Sequence, residues 1–492
     1  MVRSTRGGDV EPLECTKIIA TLGPVTATVE AIRGIIRAGA DCCRVNFSHG
    51  DGEALAPMMR AVREAARLEQ RFVPILADIQ GPKLRIGSMP RAGALLAEGS
   101  RFTLTPRHVE GSESIAEAPY PHLARDAPPG THILLADGAV ELEVEAIEGE
   151  DVHTRVLTGG RLMSHKGLNL PGRPISVETL TDKDRRDLAY LAETDVDMVA
   201  ISFVRSAKDL ELARSLLGTR RKIPVFAKLE RPEALRNLEE ILDASDGIMV
   251  ARGDLGVELP FAEVPVLQKQ ILERAAQKAR FAIVATQMLV SMVVARRPSR
   301  AEASDVLNAV LDGADAVMLS EETAVGENPV LAVRAMDALT RSAEEYDRKR
   351  RHVAMDAEVH SFAAGAAGAA VAAADRLGAK AIVALAGSGL TALHVSKWRP
   401  PLPIIGLSAK PATLRRLNVL RGVRPVELPE HADFEAQLEH ADQFLRDAGW
   451  AAPGDVVVTV AAVPLGSGKE TNTIRFHRVR KPGAAGTMWP PG

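Results

Sequence analysis

Eight short apolar runs, each breaking off in charged or polar residues, constrain the fold of this chain more than any other feature of it. The clearest pair is Pro224-Val225-Phe226-Ala227-Lys228-Leu229-Glu230-Arg231 and Gly247-Ile248-Met249-Val250-Ala251-Arg252-Gly253-Asp254. Runs of this length, bounded by Pro or Asp-Gly, read as buried parallel strands, although periodicity alone fits a buried helix as well. On a strand, residues two apart share a face, so Lys228 and Glu230 point the same way. If the two runs are neighbours, their ends lie roughly 5 Å apart, and one ammonium meets the carboxylates of Glu230 and Asp254 at one sheet edge. Two hard oxygen ligands with room for water suit Mg²⁺ bound together with a phosphorylated substrate. The commoner fate of a Lys–Glu pair is a plain structural salt bridge. The recurrence of charge at one strand end after another argues against that here.

In chain order the runs are 17–21, 42–47, 74–78, 198–202, 224–229, 247–251, 282–287 and 316–320, with amphipathic helical patterns such as 28–38, 54–68, 207–217 and 264–279 between them. Eight strands alternating with helices read as a (β/α)₈ TIM barrel. Gly-Ala-Asp or Asp-X-Asp precedes several runs (Gly39-Ala40-Asp41, Asp195-Val196-Asp197, Gly313-Ala314-Asp315), which reads as a helix C-terminus handing over to the next strand. The spacing breaks once, where about 120 residues separate the third and fourth runs, too many for a loop. Within that segment 101–105, 132–135, 140–147 and 152–157 alternate apolar with polar residues around turns such as Ala136-Asp137-Gly138. It reads as an inserted small all-β domain. Barrel active sites lie at the C-terminal ends of strands, so an insertion after the third strand is expected to act as a lid.

After residue 345 the chain is charged and then Ala-rich over 363–374, a stretch whose apolar spacing fits one helix leading into a run at 381–385. Further runs at 403–407, 425–428, 455–462 and 473–479 complete a C-terminal α/β open-sheet domain, and the tail from Lys481 is expected to be mobile. The resulting division is barrel 1–85 and 177–345, lid 86–176, and C-terminal domain 346–492. A formal net charge of −3 on 492 residues, without a Lys/Arg tract, gives no nucleic-acid footprint. No apolar run approaches the ~18 residues of a membrane span, and the N-terminus has no apolar signal-peptide core. The three cysteines, Cys15, Cys42 and Cys43, offer neither a disulfide framework nor a metal-ligand spacing. A cytoplasmic protein is expected, with no nucleic acid or membrane among its partners.

Collected at the strand ends, Arg44, Lys83, Arg85 and Lys228 are four cations on one face, with Glu230 and Asp254 among them. A site that holds phosphates around a divalent ion needs this balance. The strings Thr16-Lys17-Ile18-Ile19-Ala20-Thr21-Leu22-Gly23-Pro24, Arg44 to Gly50, Ala227-Lys228-Leu229-Glu230, Ala251-Arg252-Gly253-Asp254-Leu255-Gly256, Arg300-Ala301-Glu302 and Asp305 to Thr323 resemble the pyruvate kinase family, as does Lys166-Gly167-Leu168-Asn169-Leu170-Pro171 in the lid. The resemblance covers barrel, lid and C-terminal domain.

What it implies is Mg²⁺-dependent (or Mn²⁺-dependent) phosphoryl transfer from phosphoenolpyruvate to ADP, giving pyruvate and ATP in glycolysis. Glu230 and Asp254 would hold the Mg²⁺. Lys228 and Arg44 would neutralise the phosphoryl group in flight. The amides of Gly253 and Asp254 would receive the substrate carboxylate, and Thr286 would take part, directly or through water, in protonating the enolate. Asn46, Ser48, His49, Arg85 and Lys166 match the nucleotide side, and Asp137 a lid position that closes on the site. The family's K⁺ is held by positions matching Asn46, Ser48, Asp78 and the carbonyl of Ile79. This chain departs from the K⁺-using pattern at Ile79, Gln80 and Lys83, where that pattern has Thr, Lys and Glu. An ammonium at Lys83 would supply the monovalent charge, as in the subgroup that works without K⁺. Glu321 is a further departure, at a position where Gly or Ala is commoner.

Ala386-Gly387-Ser388-Gly389-Leu390-Thr391 resembles the loop that binds the phosphate of an allosteric effector, although its first residue is more often Thr or Ser. Gly466-Ser467-Gly468-Lys469-Glu470 lacks the upstream glycine of a P-loop and reads as a loop at the edge of that site. The family is typically a homotetramer. Two other readings of the strand ends stand beside this one. A Mg²⁺-dependent lyase or aldolase acting on an oxo-acid would use the same carboxylates, but the lid lysine and the Arg44/Arg85 pair favour a nucleotide. A catalytically silent metabolite sensor is countered by the presence of Lys228, Glu230 and Asp254 together.

Overall fold

The structure is a computed structural model, and it describes residues 15–350, 361–385, 387–428, 433–463 and 470–481. Residues 466–469, Ala386 and the tail beyond Lys481 lie outside these. The eight expected barrel strands are Lys17–Thr21, Cys42–Asn46, Ile75–Ile79, Met198–Ile201, Val225–Leu229, Gly247–Ala251, Phe281–Ala285 and Ala316–Leu319. All pair in parallel with their sequence neighbours, and the first pairs with the eighth, so the sheet closes into a barrel. Each strand alternates between two apolar layers. Val225, Ala227 and Leu229 pack outward with the surrounding helices. Phe226, Leu76, Met198 and Met249 point into the barrel.

The seventh run ends earlier than its apolar composition suggests. Strand geometry stops at Ala285, and Thr286 and Gln287 take left-handed backbone angles (φ 69° and 55°). A non-glycine residue there is strained, and two in succession redirect the chain at the barrel mouth.

The Gly-Ala-Asp signatures resolve into two separate devices. Gly39 and Gly313 adopt positive φ where a helix ends, as expected of a helix C-terminus. The aspartates do something else. Asp41, Asp197, Asp246 and Asp315 each accept an N–H from the first or second residue of the preceding barrel strand, from Ile18 (3.0 Å), Ile75 (2.9 Å), Val225 (2.8 Å) and Ala282 (2.8 Å). The barrel floor is thus tied in four successive strand pairs.

The insertion forms a six-stranded sheet in the order Leu168–Asn169, His132–Leu135, Val140–Glu148, Asp151–Thr158, Arg101–Thr105, Ile115–Glu117, with a two-stranded sheet of Ala94–Leu96 and Gly160–Leu162 beside it. It has its own apolar core around Phe102, Leu104, Ile133 and Val152. The C-terminal sheet runs Val423–Glu427, Ile404–Ser408, Ala381–Leu385, Val456–Ala461, Thr473–Arg478, the last strand antiparallel. The third of the sequence's expected runs there shifts upstream, from 425–428 to Val423–Glu427. The Ala-rich stretch is the helix Phe362–Arg376, capped by Ser361. A Cβ at Gly368 would stand 2.5 Å from the Trp398 ring, so only a glycine admits that indole.

The C-terminal domain docks under the barrel floor. Lys397 pairs with Asp315, Arg415 Nε with Asp197 Oδ1 (2.7 Å), and Asn418 Nδ2 with the Asp41 carbonyl (3.0 Å). Its core joins the barrel interior in one buried apolar cluster. The three cysteines are buried. Among the described residues no helix is long and apolar enough to cross a membrane.

Candidate active site

The inward alternation of four consecutive barrel strands becomes polar at the same level. Cys42, Leu76, Ala200 and Phe226 are apolar and inward. Two residues further along each strand stand Arg44, Asp78, Ser202 and Lys228. The barrel closes these side chains onto one another. Lys228 Nζ lies 3.1 Å from Asp78 Oδ1, 3.0 Å from Glu230 Oε1, and donates to Ser202 Oγ at 2.8 Å. Ser202 Oγ donates in turn to the Ile79 carbonyl (2.6 Å). Arg44 Nε donates to Asp78 Oδ2 at 2.7 Å and Arg44 Nη1 to Thr21 Oγ1 at 3.0 Å. Glu230 Oε2 accepts the Phe203 amide at 2.8 Å. Asp78 and Glu230 are 1% exposed, which makes this a buried charge cluster rather than a solvated surface pair.

Its electrostatics favour a permanently charged lysine. Burial works against the Lys228 ammonium, but Asp78 and Glu230 outweigh it and hold its pKa above the usual lysine value. Burial likewise pushes Asp78 up, and Arg44 and Lys228 more than reverse this, leaving the carboxyl below its ordinary value. Glu230 is different. Burial raises it, Lys228 only partly offsets that, and the nearby Asp254 and Asp78 charges raise it further. A carboxylate in surplus negative surroundings is one that a divalent cation relieves. Among the described residues no three His, Cys, Asp or Glu side chains gather into a metal cage. A metal held by Glu230 and Asp254 would therefore be completed by water and substrate oxygens, which suits Mg²⁺.

Asp254 stands in the first turn of the helix Arg252–Glu258, directly after the sixth strand. Its Oδ1 receives Lys83 Nζ at 2.8 Å. The Gly253 amide donates to Thr286 Oγ1 at 2.7 Å, and that hydroxyl donates to the Ala285 carbonyl at 2.6 Å. Arg252 holds the strained turn from below, with Nη2 on the Thr286 carbonyl (2.9 Å) and both terminal nitrogens on Asp305 (2.6 Å each).

The other expected residues stand at the rim. Asn46, which ends the second strand, and Ser48, in the turn after it, are half-buried, with Ser48 N on Asn46 Oδ1 at 3.1 Å, and His49 is exposed. Arg85 and Lys166 are exposed where the lid leaves and re-enters, and Arg85 Nη1 donates to the His165 carbonyl at 2.8 Å. The lid hairpin reaches back over the mouth. A Cβ built on Gly167 would stand 3.5 Å from Lys83 Cε, 3.6 Å from Asp137 Oδ1 and 3.8 Å from Asn169 Oδ1, so the barrel lysine and two lid side chains converge beside one glycine. Ser202, Asn169, Arg231, Glu258 and the Arg252–Asp305 pair are contributors that motif reading passed over. Ser202 closes a strand as Lys228 does, and Arg231 adjoins Glu230, so position could have flagged both.

Comparison with known proteins agrees with this geometry. Residues 13–333 match the family model described as "Pyruvate kinase, barrel domain", and residues 365–477 match "Pyruvate kinase, alpha/beta domain". The chain belongs to the pyruvate kinase family. It is 42% identical to a pyruvate kinase of Mycobacterium tuberculosis over 468 residues, covering 94% of this chain and 98% of the relative. It is 40% identical to a pyruvate kinase of Geobacillus stearothermophilus, covering 94% of this chain and 80% of the relative. Among solved structures, a pyruvate kinase from Cryptosporidium parvum superposes with a TM-score of 0.86 at 32% identity, covering 95% of this chain and 96% of that one.

Proposed function

We infer that this chain transfers the phosphoryl group of phosphoenolpyruvate to ADP, as the pyruvate kinase family does, with the buried Asp78–Ser202–Lys228–Glu230 cluster as the observation that carries the reading. The bond from the phosphoryl group to the enol oxygen breaks, a bond to the terminal ADP oxygen forms, and the enolate left behind takes a proton at carbon to give pyruvate. Glu230 and Asp254 would hold Mg²⁺, whose contribution is to offset charge on the transferring oxygens. Lys228 and Arg44 are placed to meet the same charge from the protein side. Lys228 acts by fixed charge and not as the acid, because its carboxylate partners keep it protonated.

Thr286 is too weak an acid to protonate the enolate unaided, and its proton is engaged by the Ala285 carbonyl. Its proposed role is to order the water that does so and to hold the Gly253 amide, which would exchange Thr286 Oγ1 for the substrate carboxylate. Asn46, Ser48, His49, Arg85 and Lys166 form the proposed nucleotide rim, with Asp137 on the closing lid. The C-terminal loop through Gly387 and Gly389 is the proposed effector-phosphate site, in a cytoplasmic homotetramer.

Activity is proposed to be independent of K⁺. Support comes from two of the four family K⁺ positions, Asp78 and Ile79, and from Lys83. Asp78 already holds two cations, the Ile79 carbonyl accepts Ser202, and the Lys83 ammonium stands at Asp254. The test is pyruvate formation from phosphoenolpyruvate, ADP and Mg²⁺ in buffer free of K⁺, then with K⁺ added. Full activity before the addition is the expected result. A large stimulation by K⁺ removes Lys83 as the built-in cation and keeps the phosphotransferase. No pyruvate in either condition removes the phosphotransferase itself.

A further inference from the structure

Directly behind the two carboxylates assigned to the metal lies a second buried ion pair that the reaction above does not use. Arg231 immediately follows Glu230, and Glu258 ends the helix that carries Asp254 in its first turn, four residues on and hence on the same helical face. Arg231 Nη1 donates to Glu258 Oε1 at 2.8 Å, with side chains 4% and 1% exposed. The lid joins at the same point. Asn169 Nδ2, three residues past Lys166, donates to the same Glu258 oxygen at 2.9 Å, and Arg231 Nη2 donates to the Arg173 carbonyl at 3.0 Å where the lid returns to the barrel.

The lid strand is also tied to the chain leaving the barrel, through Ile86 N on the Lys166 carbonyl and Leu168 N on the Leu84 carbonyl (3.0 Å each). A cavity of about 470 Å³, lined by Thr131, His132, Arg173, Glu258, Leu259 and Pro260, lies between the lid hairpin and the helix end. On the Glu258 side the connection is made by these directional bonds. A hydrogen bond weakens steeply when its geometry is disturbed, so a displacement of the lid strand of about an ångström either breaks these bonds or carries Glu258 and Arg231 along. Those two are covalently one residue and one helical turn from the metal carboxylates.

We propose that Glu258 is a positioning residue through which the lid strand at Asn169 sets the relative placement of Glu230 and Asp254. The inference deepens the functional reading and rests on it for the identity of the metal ligands. The lid engaged at Asn169 holds the two carboxylates at the spacing a divalent ion needs, and the lid disengaged lets them drift apart. Metal affinity and lid position are thereby linked, and linkage of this kind is reciprocal.

The test uses the full-length protein and its Asn169→Ala variant, which removes the lid arm and leaves the buried Arg231–Glu258 pair intact. Mn²⁺ affinity is read by electron paramagnetic resonance in the absence of substrates, alongside the thermal midpoint and the steady-state kinetics. The expected result is a Mn²⁺ dissociation constant raised roughly three- to tenfold, less than the full loss of a hydrogen bond to a charged group because the effect reaches the metal indirectly. A lowered kcat and a near-native thermal midpoint should accompany it. Unchanged Mn²⁺ affinity overturns the proposal, whether or not the thermal midpoint falls, because a merely structural asparagine would move only the latter. If the alanine variant does not fold, Asn169→Ser, which keeps a donor on a shorter arm, carries the same comparison. A protein that binds Mn²⁺ with this coupling but forms no pyruvate overturns the phosphotransferase reading and leaves the positioning role standing.

Discussion

The Ser202 hydroxyl connects two things that sequence keeps far apart, the carbonyl of Ile79 on the third strand and the ammonium of Lys228 on the fifth. Lys228, Glu230 and Arg44 were legible as candidates because each is a charge at the end of an apolar run. That Lys228 rests on Asp78 was not, because the contact spans the barrel mouth and periodicity along a strand carries no information across it. Asp78 could be named only as part of a K⁺ site taken from family resemblance. Ser202→Ala should separate these contributions. The substitution leaves the Ile79 carbonyl without its donor and Lys228 without one acceptor, and stability should fall by about 1–2 kcal/mol in urea unfolding. With the ammonium less firmly aimed, kcat should drop about tenfold while the KM for ADP stays within a factor of two. An unchanged kcat would mean that Asp78 and Glu230 alone fix Lys228.

At the scale of elements, strands with long apolar or alternating runs were readable to within a residue or two, and very short ones were not. Ala94–Leu96, Ile115–Glu117, Gly160–Leu162 and Leu168–Asn169 are two or three residues each, too short for a period of two to register. The aspartates before the even barrel strands were visible as part of a repeated helix-to-strand signature, but their own role was not legible from it. Their hydrogen bonds run to the preceding strand, and glycines follow the helix ends at only two of the four, Gly39 and Gly313. Asp197 carries the most. Its Oδ2 accepts Ile75 N and Arg63 Nη2 (2.7 Å), and its Oδ1 accepts Arg415 Nε from the C-terminal domain. Asp197→Ala leaves the Ile75 N–H without its side-chain acceptor and leaves Arg63 and Arg415 only the more exposed Asp195 carboxylate, so a loss of about 3 kcal/mol is expected in equilibrium unfolding. Asp246→Ala should cost less, because Asp246 is half-exposed and its cation, Arg214, lies on the barrel itself. Equal losses at the two sites would show that the cap alone matters and that the tie to the C-terminal domain contributes nothing.

The three-part organisation of the whole molecule was legible because the strand–helix rhythm breaks once and then changes character. The docking of the C-terminal domain was not, since it rests on single side chains meeting the barrel floor. One helix there, Leu390–Lys397, carries both a docking residue and a titratable one. Lys397 reaches Asp315 and the Arg280 carbonyl beneath the seventh and eighth strands. One turn earlier, burial pushes the His394 imidazole below its ordinary value of 6.5, Glu470 opposes that, and Arg280 adds to it. A histidine whose folded pKa is depressed binds fewer protons folded than unfolded over the interval between the two values. Its contribution to stability is therefore complete above about pH 6.5 and is lost as the pH falls below that. The protonated ring would meet Arg280, the residue whose carbonyl anchors Lys397, so the loss should fall on the docking of this helix. The thermal midpoint of the full-length protein is expected to decline from pH 7 to pH 5.5, and His394→Asn should flatten that slope while leaving the pH 8 midpoint nearly unchanged. Hydrogen exchange should show the same acid-dependent opening in residues 390–397. A slope identical in the variant would place the acid sensitivity elsewhere, and not at carboxylates such as Glu239, which a hydrogen bond from Arg274 holds down at about 2 and which gives up its contribution only below this pH range.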